Sequence, residues 1–471
     1  MITPRAPASS TAAEPVLRGA LNRLRTALTA ATYPLLLPST DEARRTSAAL
    51  LRQLDDYLLP RLARPDTPLL VVVGGSTGVG KSTLVNSLVQ ARVSAPGILR
   101  PTTRSPVLVC HPRDLSWFRA GNLLPGLTRT SRSGDTPGTL QLVSAPALPP
   151  GLAFLDAPDI DSIIDANRAL ATQLLAAADL WLFVTTPARY ADAVPWELLR
   201  TARLRGAALA LVLDRVSDRD RDELVAHLKE MLAAADLAAT PLFVVPETKV
   251  DGQGLLPEHG TAQLRDWFGR MAADPESRAR VIRQTFDGAL AALLPVLTGL
   301  AAAADEQAEA AKMLNERVRA AYRIAYDTVL QGLPDGDLLP DESDLVALIS
   351  DAAADAAERA YAGWRTHPAG LALLEPALAR LGPDLPERAE RLVRDWRSGT
   401  KAQADLVDGI EALMAEEATR YLCRVATPDP ATTTGSGHGL GDELRHTAAE
   451  IEQARVRAAR TDSPPERPTD D

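Results

Sequence analysis

The sequence predicts an α/β domain with a mostly parallel sheet and helices on both faces, together with an α-helical domain. Apolar strand-like runs alternate with helical patterns between Leu69 and Val245, and such alternation is typical of a parallel sheet. Beyond about Pro275 the strand signal ends, and alanine- and arginine-rich amphipathic segments follow, which favours packed helices. A glycine-rich turn follows the first strand at 74–80, at the sheet edge where ligands gather.

The composition is that of an ordinary globular protein with room for about three domains. Of its 471 residues, 24% are charged and 46% hydrophobic, and the formal net charge is −10. An acidic chain gives no general electrostatic support for a nucleic-acid partner. The two cysteines, Cys110 and Cys423, lie far apart, which indicates neither a disulfide framework nor a metal knuckle and favours a cytoplasmic location.

Composition shifts along the chain predict five regions. They are a disordered start at 1–14, N-terminal helices at 15–65, the α/β domain at 66–272, a helical domain at 273–425, and a linker, short helix and disordered tail at 426–471. We expect the N-terminal helices to pack with the later ones, because a single pair does not close a bundle.

Periodicity predicts the individual elements. We expect strands at 69–73, 107–111, 139–143, 152–155, 180–184, 208–213 and 241–245. Helices are expected at 15–31, 41–59, 83–90, 160–178, 193–204, 218–237, 276–331, 341–365, 371–397, 401–425 and 443–460. The apolar run Gly288–Ala304 is short and interrupted by Pro295 and Gly299, which favours a buried bundle helix over a membrane span.

The glycine-rich turn carries the pattern G-x-x-x-x-G-K-S at Gly75, Gly80, Lys81 and Ser82. Glycine permits a tight curl that points several backbone N–H groups at a polyphosphate, and the following helix adds its positive end. In such loops the lysine reaches the β- and γ-phosphates and the hydroxyl binds Mg²⁺. The motif therefore predicts nucleoside triphosphate binding by Gly75, Gly78, Val79, Gly80, Lys81, Ser82 and Thr83.

Asp156 ends the apolar strand LAFLD, the position from which a carboxylate holds Mg²⁺ near a triphosphate. Ala157 follows it where many P-loop ATPases have a catalytic glutamate, so an ATPase of those classes is disfavoured. The pattern Asp156-Ala157-Pro158-Asp159 fits the GTPase motif D-x-x-G, except that Asp159 replaces the glycine. A second carboxylate there would repel a triphosphate unless it points away or helps to hold the metal.

Three segments, GGSTGVGKSTLVNSLV, RPTTRSPV and FLDAPDIDS, together resemble the dynamin-like branch of the P-loop GTPases. The resemblance covers about residues 68–250, in particular with bacterial members that carry a trailing helical domain. It implies that Thr103, or the adjacent Thr102, closes on Mg²⁺ and the γ-phosphate. It also implies that the phosphate loop itself, at Ser76 and Thr77, supplies the catalytic group, because Ile160 occupies the place of a water-orienting glutamine.

The resemblance also implies a base-recognition motif after the strand at 208–213. There Asp214 and Arg215 align with its first two positions, and the arginine can cover a base face. Ser217 stands where a guanine-reading aspartate is expected, and the alternative is that the segment is a polar helix start with capping residues. A further loop contact with the nucleotide would lie at 246–248.

The leading hypothesis is therefore a GTP-binding protein that hydrolyses GTP with Mg²⁺. The resemblance implies dimerisation through the GTPase domain, with a second copy or a related chain, and movement of the helical region. It further implies peripheral contact with the inner face of the cytoplasmic membrane. Two alternatives stay open: a nucleotide-binding scaffold with little turnover, and a P-loop ATPase of another class.

Overall fold

The computed structural model of the protein describes residues 13–64, 67–94, 105–120, 123–131, 136–162, 165–333, 340–371, 373–374, 378, 380, 382–399, 403–425 and 439–461. These residues form two compact units. The first unit contains the described residues within 1–25, 49–296 and 447–471, and the second contains those within 26–48 and 297–446.

The first unit is built on an eight-stranded sheet with the order β3-β4-β2-β5-β1-β6-β7-β8. The strands are β1 Leu69–Gly75, β2 Val107–Cys110, β3 Thr128–Thr130, β4 Thr139–Ser144, β5 Leu152–Asp156, β6 Leu180–Thr185, β7 Ala208–Val216 and β8 Leu242–Pro246. Strands β2 and β5 pair antiparallel, and the other neighbours pair parallel. The predicted mostly parallel sheet is confirmed.

Alternate residues of β1 enter two different hydrophobic cores, one on each face of the sheet. Leu70 and Val72 belong to one core, whereas Leu69, Val71 and Val73 belong to the other. Because side chains alternate along a strand, a β1 that is apolar at every position is buried on both faces. The sheet is therefore covered by helices on both sides, as the fold class predicts.

The helices of the chain are α1 Ala13–Ala30, α2 Thr40–Gln53, α3 Leu59–Ala63, α4 Lys81–Val89, α5 Leu115–Arg119, α6 Asp165–Ala176, α7 Ala193–Leu204, α8 Arg221–Ala234, α9 Glu258–Ala273, α10 Pro275–Gly332, α11 Glu342–Arg365, α12 Pro368–Leu371, α13 Leu385–Ser398, α14 Gln403–Val425 and α15 Leu440–Thr461. A π-helical turn, Leu54–Leu58, joins α2 to α3. Helix α10 contributes to both units, because it runs through the boundary at 296–297.

The second unit has a core formed almost entirely by helices, as the predicted helical domain requires. The apolar residues that recur at spacings of three and four in α10 are buried in it: Leu314, Val318, Ala321, Ala325 and Val329. They pack with α11 and α14, where the rings of Trp364 and Tyr421 lie edge to face with their centroids 5.3 Å apart. The indole N–H of Trp364 donates to the Leu314 carbonyl oxygen at 3.2 Å, so this buried polar atom is satisfied.

Two local expectations differ from the structure. The helix expected at 371–397 begins only at Leu385, as α13, and the short helix α12 ends at Leu371, because prolines and a glycine lie between the two. The stretch 112–138, expected to be irregular, contains the short elements α5 and β3. Strand β2 lies between β4 and β5, parallel to β4 and antiparallel to β5, so the sheet is mixed at this position.

The run Gly288–Ala304 lies within α10, which among the described residues is the one helix long and apolar enough to cross a membrane by length and composition. Several of its leucines are nevertheless almost fully buried against protein: Leu290, Leu293, Leu297 and Leu300. The core helix of a folded domain meets the same criteria of length and composition. Of the two cysteines, Cys110 is buried in β2 and Cys423 is exposed on α14.

Candidate functional site

The phosphate loop connects β1 to α4, and its backbone is closely covered by neighbouring elements. Gly75 has φ of 150°, and a Cβ there would lie 2.2 Å from the Val184 carbonyl oxygen. Gly80 has φ of 99°, and a Cβ there would lie 2.5 Å from Asp214 Oδ2. Only glycine meets both the torsion and the space at these positions. The loop therefore has the tight curl that the motif predicts.

Lys81 is the first residue of α4, and its side chain folds back over the loop. Its Nζ donates to the carbonyl oxygens of Gly75 and Ser76, at 2.8 and 2.9 Å, and to Asp159 Oδ1 at 2.5 Å. The lysine side chain is 5% exposed and that of Asp159 10%. The Asp159 carboxylate thus points toward the loop lysine. The sequence alone did not decide whether this carboxylate points toward the loop or away from it.

Asp156 ends β5 and is fully buried beside the loop. Its Oδ2 accepts a hydrogen bond from Ser94 Oγ at 2.6 Å, whereas Oδ1 has no hydrogen-bond partner among the described residues. Burial raises the pKa of this carboxyl, and the nearby hydroxyls of Ser82 and Ser94 and the charge of Lys81 offset part of that rise. A buried carboxylate oxygen without a hydrogen-bond partner costs folding free energy unless a cation or a hydrogen-bond donor reaches it.

Ser82 and Asp156 fit a magnesium site, because hydroxyl and carboxylate oxygens are the ligands that Mg²⁺ prefers beside a phosphate chain. No group of three or more His, Cys, Asp or Glu side chains that could hold a metal by itself occurs in the described part of the chain. The two protein ligands would therefore act together with phosphate oxygens and water. The third predicted ligand, Thr103, lies outside the described residues, as does Thr102.

Asp161 holds the phosphate loop from the same segment that carries Asp159. Its Oδ1 accepts from the backbone N–H and from Oγ1 of Thr77, at 2.6 and 2.8 Å. Its Oδ2 accepts from Arg189 Nη1 at 2.9 Å. Burial alone would raise the pKa of Asp161, but the Thr77 hydrogen bonds and the Arg189 charge outweigh it, and the pKa is lowered.

Sequence reasoning missed Arg189 and the role of Asp161. Arg189 follows β6, the strand next to β1 in the sheet. Ligands bind at the carboxyl edge of a parallel sheet, so the position of Arg189 after a strand could have identified it as a site residue. Two of the three predicted catalytic residues lie in the loop: Ser76 is buried, and Thr77 donates its hydroxyl to Asp161. The third, Thr103, lies outside the described residues. Ile160 is buried in a hydrophobic core. Catalysis by Ser76 and Thr77 stays a prediction.

The base-recognition segment divides into two parts with different contacts. Asp214 is buried against Gly80, and its Oδ1 accepts from the Arg215 N–H at 2.9 Å. Burial raises the pKa of Asp214 to about 6. Arg215 adopts a left-handed φ of 59°, and its side chain is 53% exposed. These two residues therefore lie beside the phosphate loop, with the arginine accessible to a ligand.

Ser217 instead belongs to the turn that starts α8. Its Oγ donates to Asp220 Oδ2 at 2.7 Å and accepts from the Asp220 N–H at 3.2 Å. For Ser217 the structure favours the helix-start alternative. A cavity of about 330 Å³ opens beyond the ends of β7 and β8, and its lining includes Asp218, Glu247 and Thr248.

No protein-family model matches this sequence, and no curated protein matches it. Several solved structures are similar in fold. An oligomerised bacterial dynamin pair is 9% identical, with 95% of this chain and 78% of that chain covered and a TM-score of 0.33. Era in complex with MgGDPNP and a 16S ribosomal RNA segment is 20% identical, with 39% and 51% covered and a TM-score of 0.27.

Toc33 from Arabidopsis thaliana, in complex with GDP and Mg²⁺, is 16% identical, with 50% of this chain and 92% of that chain covered and a TM-score of 0.28. The chain spans about half the length of the Era structures that it matches, which include Era from Aquifex aeolicus. The chain's own sheet order, its G-x-x-x-x-G-K-S loop after β1 and its carboxylate at the end of β5 are those of a P-loop nucleotide-binding domain.

Proposed function

We propose that the protein binds GTP with Mg²⁺ at the loop 75–82 and hydrolyses it to GDP. The observation that carries this proposal is the convergence of Lys81, the curled glycine backbone and the orphaned Oδ1 of Asp156 at one edge of the sheet. A phosphate-binding loop followed by a magnesium-binding carboxylate, in this order, is typical of proteins that bind nucleoside triphosphates.

The chain's own residues perform the binding. Backbone N–H groups of the loop and of the first turn of α4 would donate to phosphate oxygens, and the helix N-terminus adds its positive end. Lys81 would bond the β- and γ-phosphates, and Ser82 and Asp156 would hold Mg²⁺. When bound, the ion would neutralise charge that develops on the phosphates during transfer.

Water attack requires a positioned polar group, since Ile160 is buried and apolar. Thr77 is the best candidate, because it lies in the phosphate loop with its side chain only partly buried, whereas Ser76 is buried. Thr103, as the resemblance implies, would close on Mg²⁺ from the other side. Guanine recognition would rest on Arg215 covering the base and on Asp214 supporting the loop, while Ser217 contributes little.

The proposed cellular role rests on the resemblance to dynamin-like GTPases. GTP binding would promote pairing of GTPase domains, with a second copy or a related chain, and would change the helical unit. The protein would act in the cytoplasm at the inner membrane face, without a nucleic-acid partner. A nucleotide-responsive scaffold is the second candidate, favoured by the burial of Ile160 and by the Lys81–Asp159 pair.

The binding proposal is tested by calorimetric titration of the wild type and of Lys81→Ala with a non-hydrolysable GTP analogue and Mg²⁺. We expect the variant to lose binding and stay folded, because the lysine supplies a charge-assisted bond to phosphate. Lys229→Ala, at an exposed position of α8, is the matched control and should bind normally. Equal affinity of Lys81→Ala and wild type would disprove the proposal.

Turnover of GTP and of ATP, measured with and without liposomes, separates the candidates. Release of phosphate from GTP supports the enzyme, tight binding without release supports the scaffold, and a preference for ATP supports a different P-loop class. Light scattering with and without the GTP analogue tests the pairing of GTPase domains.

A further inference from the structure

We propose that Asp159 and Asp161 are internal competitors of the triphosphate, which set its affinity by occupying the phosphate-loop donors that it needs. This inference rests on the proposed function, because it concerns the same site. Triphosphate binding then requires that the segment 157–161 be displaced from the loop.

The first competitor acts on Lys81. An ammonium group has three protons, and its partners here are two loop carbonyls and Asp159. A phosphate oxygen must therefore replace one of these partners. Asp159 is the one that must leave, because it carries negative charge and lies where phosphate charge would arrive, in a pair that is almost completely removed from water.

The second competitor acts on Thr77. The backbone N–H of Thr77 is one of the loop donors that a polyphosphate uses, and it bonds to Asp161 together with the hydroxyl of the same residue. Arg189 neutralises the other oxygen of Asp161. Two carboxylates from one short segment thus bind two of the groups that should face the nucleotide.

The charges around the phosphate loop also support competition between these carboxylates and the triphosphate. The carboxylates around the loop are Asp156, Asp159, Asp161 and Asp214, and the cations that pair with them are Lys81, Arg189 and Arg215. The carboxylates outnumber these cations before a triphosphate adds its own negative charge. Removing one carboxylate charge without changing its shape should therefore strengthen binding, and the residue that contacts Lys81 should have the largest effect.

The test is titration of Asp159→Asn and Asp161→Asn with the GTP analogue and Mg²⁺. The asparagine of Asp159→Asn still accepts a hydrogen bond from Lys81, so the fold should be kept. We expect about tenfold tighter binding for Asp159→Asn and a smaller gain for Asp161→Asn. Asp165→Asn is the matched control, because Asp165 lies nearby in sequence but its side chain is 89% exposed and pairs with Arg168; its affinity should stay within about twofold.

Hydrogen exchange provides a second readout that does not depend on turnover. The amides of Ala157 and Ile160 donate to the β1 carbonyls of Val73 and Gly75, at 3.3 and 3.5 Å. The analogue should increase exchange in the segment 157–161, since displacement breaks these bonds.

Weaker or unchanged binding by Asp159→Asn, with wild type binding normally, would overturn the inference and leave the proposed function intact. Weaker binding would mean that Asp159 supports the metal or the nucleotide. Loss of binding in wild type and in every variant would instead overturn the proposed function, and the inference with it.

Discussion

The carboxylate of Asp214 lies directly against the backbone of Gly80, so that a Cβ on the glycine would come within 2.5 Å of Asp214 Oδ2. This relationship joins the end of β7 to the last turn of the phosphate loop. It explains why position 80 is glycine for two independent reasons, its φ of 99° and this close approach. It also buries a carboxyl group, whose pKa rises to about 6.

The Asp214 carboxyl should therefore make stability depend on pH. Its pKa is raised on folding, so the folded state binds the proton more tightly, and ionisation costs stability as pH rises from about 4 through about 6. At pH 7 Asp214→Asn should be more stable than wild type by up to about 3 kcal/mol and should therefore melt at a higher temperature. The advantage should disappear near pH 4, where wild type is protonated.

Thermal melts of both proteins across pH 4 to 8 check this prediction. Asp165→Asn, at an exposed carboxyl, should show little pH-dependent difference from wild type. A constant offset between Asp214→Asn and wild type at every pH would contradict the assignment of the raised pKa to Asp214.

The buried pair Arg61–Asp179 should contribute strongly to the stability of the first unit. Both side chains are almost fully buried, the Leu70 N–H donates to the same Asp179 oxygen at 2.7 Å, and the guanidinium lies 5.4 Å from the Trp117 ring centroid. Arg61→Ala leaves a buried carboxylate without its cation, which costs about 3–5 kcal/mol.

Denaturant unfolding of Arg61→Ala gives the measurement. Its control is Arg203→Ala, which breaks the exposed pair with Asp236, whose side chains are 44% and 73% exposed. Exposed pairs are worth about 0–1 kcal/mol. Similar losses in the two variants would show that the buried pair has no special contribution.

Two glycines of α10 should respond to alanine with opposite signs. A Cβ on Gly288 would lie 2.4 Å from the Arg205 carbonyl oxygen, whereas nothing lies within 4 Å of one on Gly299. Gly288→Ala should destabilise by about 1–3 kcal/mol through overpacking. Gly299→Ala should stabilise by about 0.5–1 kcal/mol, because alanine is the better helix former. Melting temperatures that move in the same direction would contradict this account.

Ser217 should contribute little to base selection. Its hydroxyl bonds to Asp220, so Ser217→Ala should change the ratio of GTP to ATP affinity by less than about twofold. Arg215→Ala should weaken binding of both nucleotides, because it removes the cover of the base face.

For the wild type we expect GTP to be preferred over ATP, but less than with a base-reading aspartate, which discriminates by several kcal/mol. Competition titrations measure both ratios. A large loss of GTP preference in Ser217→Ala would mean that its hydroxyl turns toward the base.

Local patterns predicted most of the fold. β1 is apolar at every position and ends in two glycines, so its strand, its burial and the curled loop could all be predicted from sequence. The spacing of Leu314, Val318 and Ala321 likewise predicted a buried helix face. These features depend on periodicity and backbone torsion, which are properties of neighbouring residues.

The contacts made by charged side chains could not be predicted, because they join elements far apart in sequence. Asp159 and Asp161 were visible as carboxylates near the loop, but only the fold shows that one contacts Lys81 and the other Thr77. Arg189 and Asp179 lie at opposite ends of β6, and nothing in their local sequence distinguishes them from surface charges. Their roles are set by sheet order, which sequence periodicity does not specify.

The arrangement of the two cysteines makes the unmodified protein suitable for site-specific labelling. The Cys110 thiol is buried, and burial raises its pKa to about 12, so it should not react with a maleimide at neutral pH. Cys423 is exposed on α14, in the second unit. A single fluorophore can therefore be attached to the helical unit without mutation, and its emission can report whether nucleotide at the sheet edge changes the surroundings of α14.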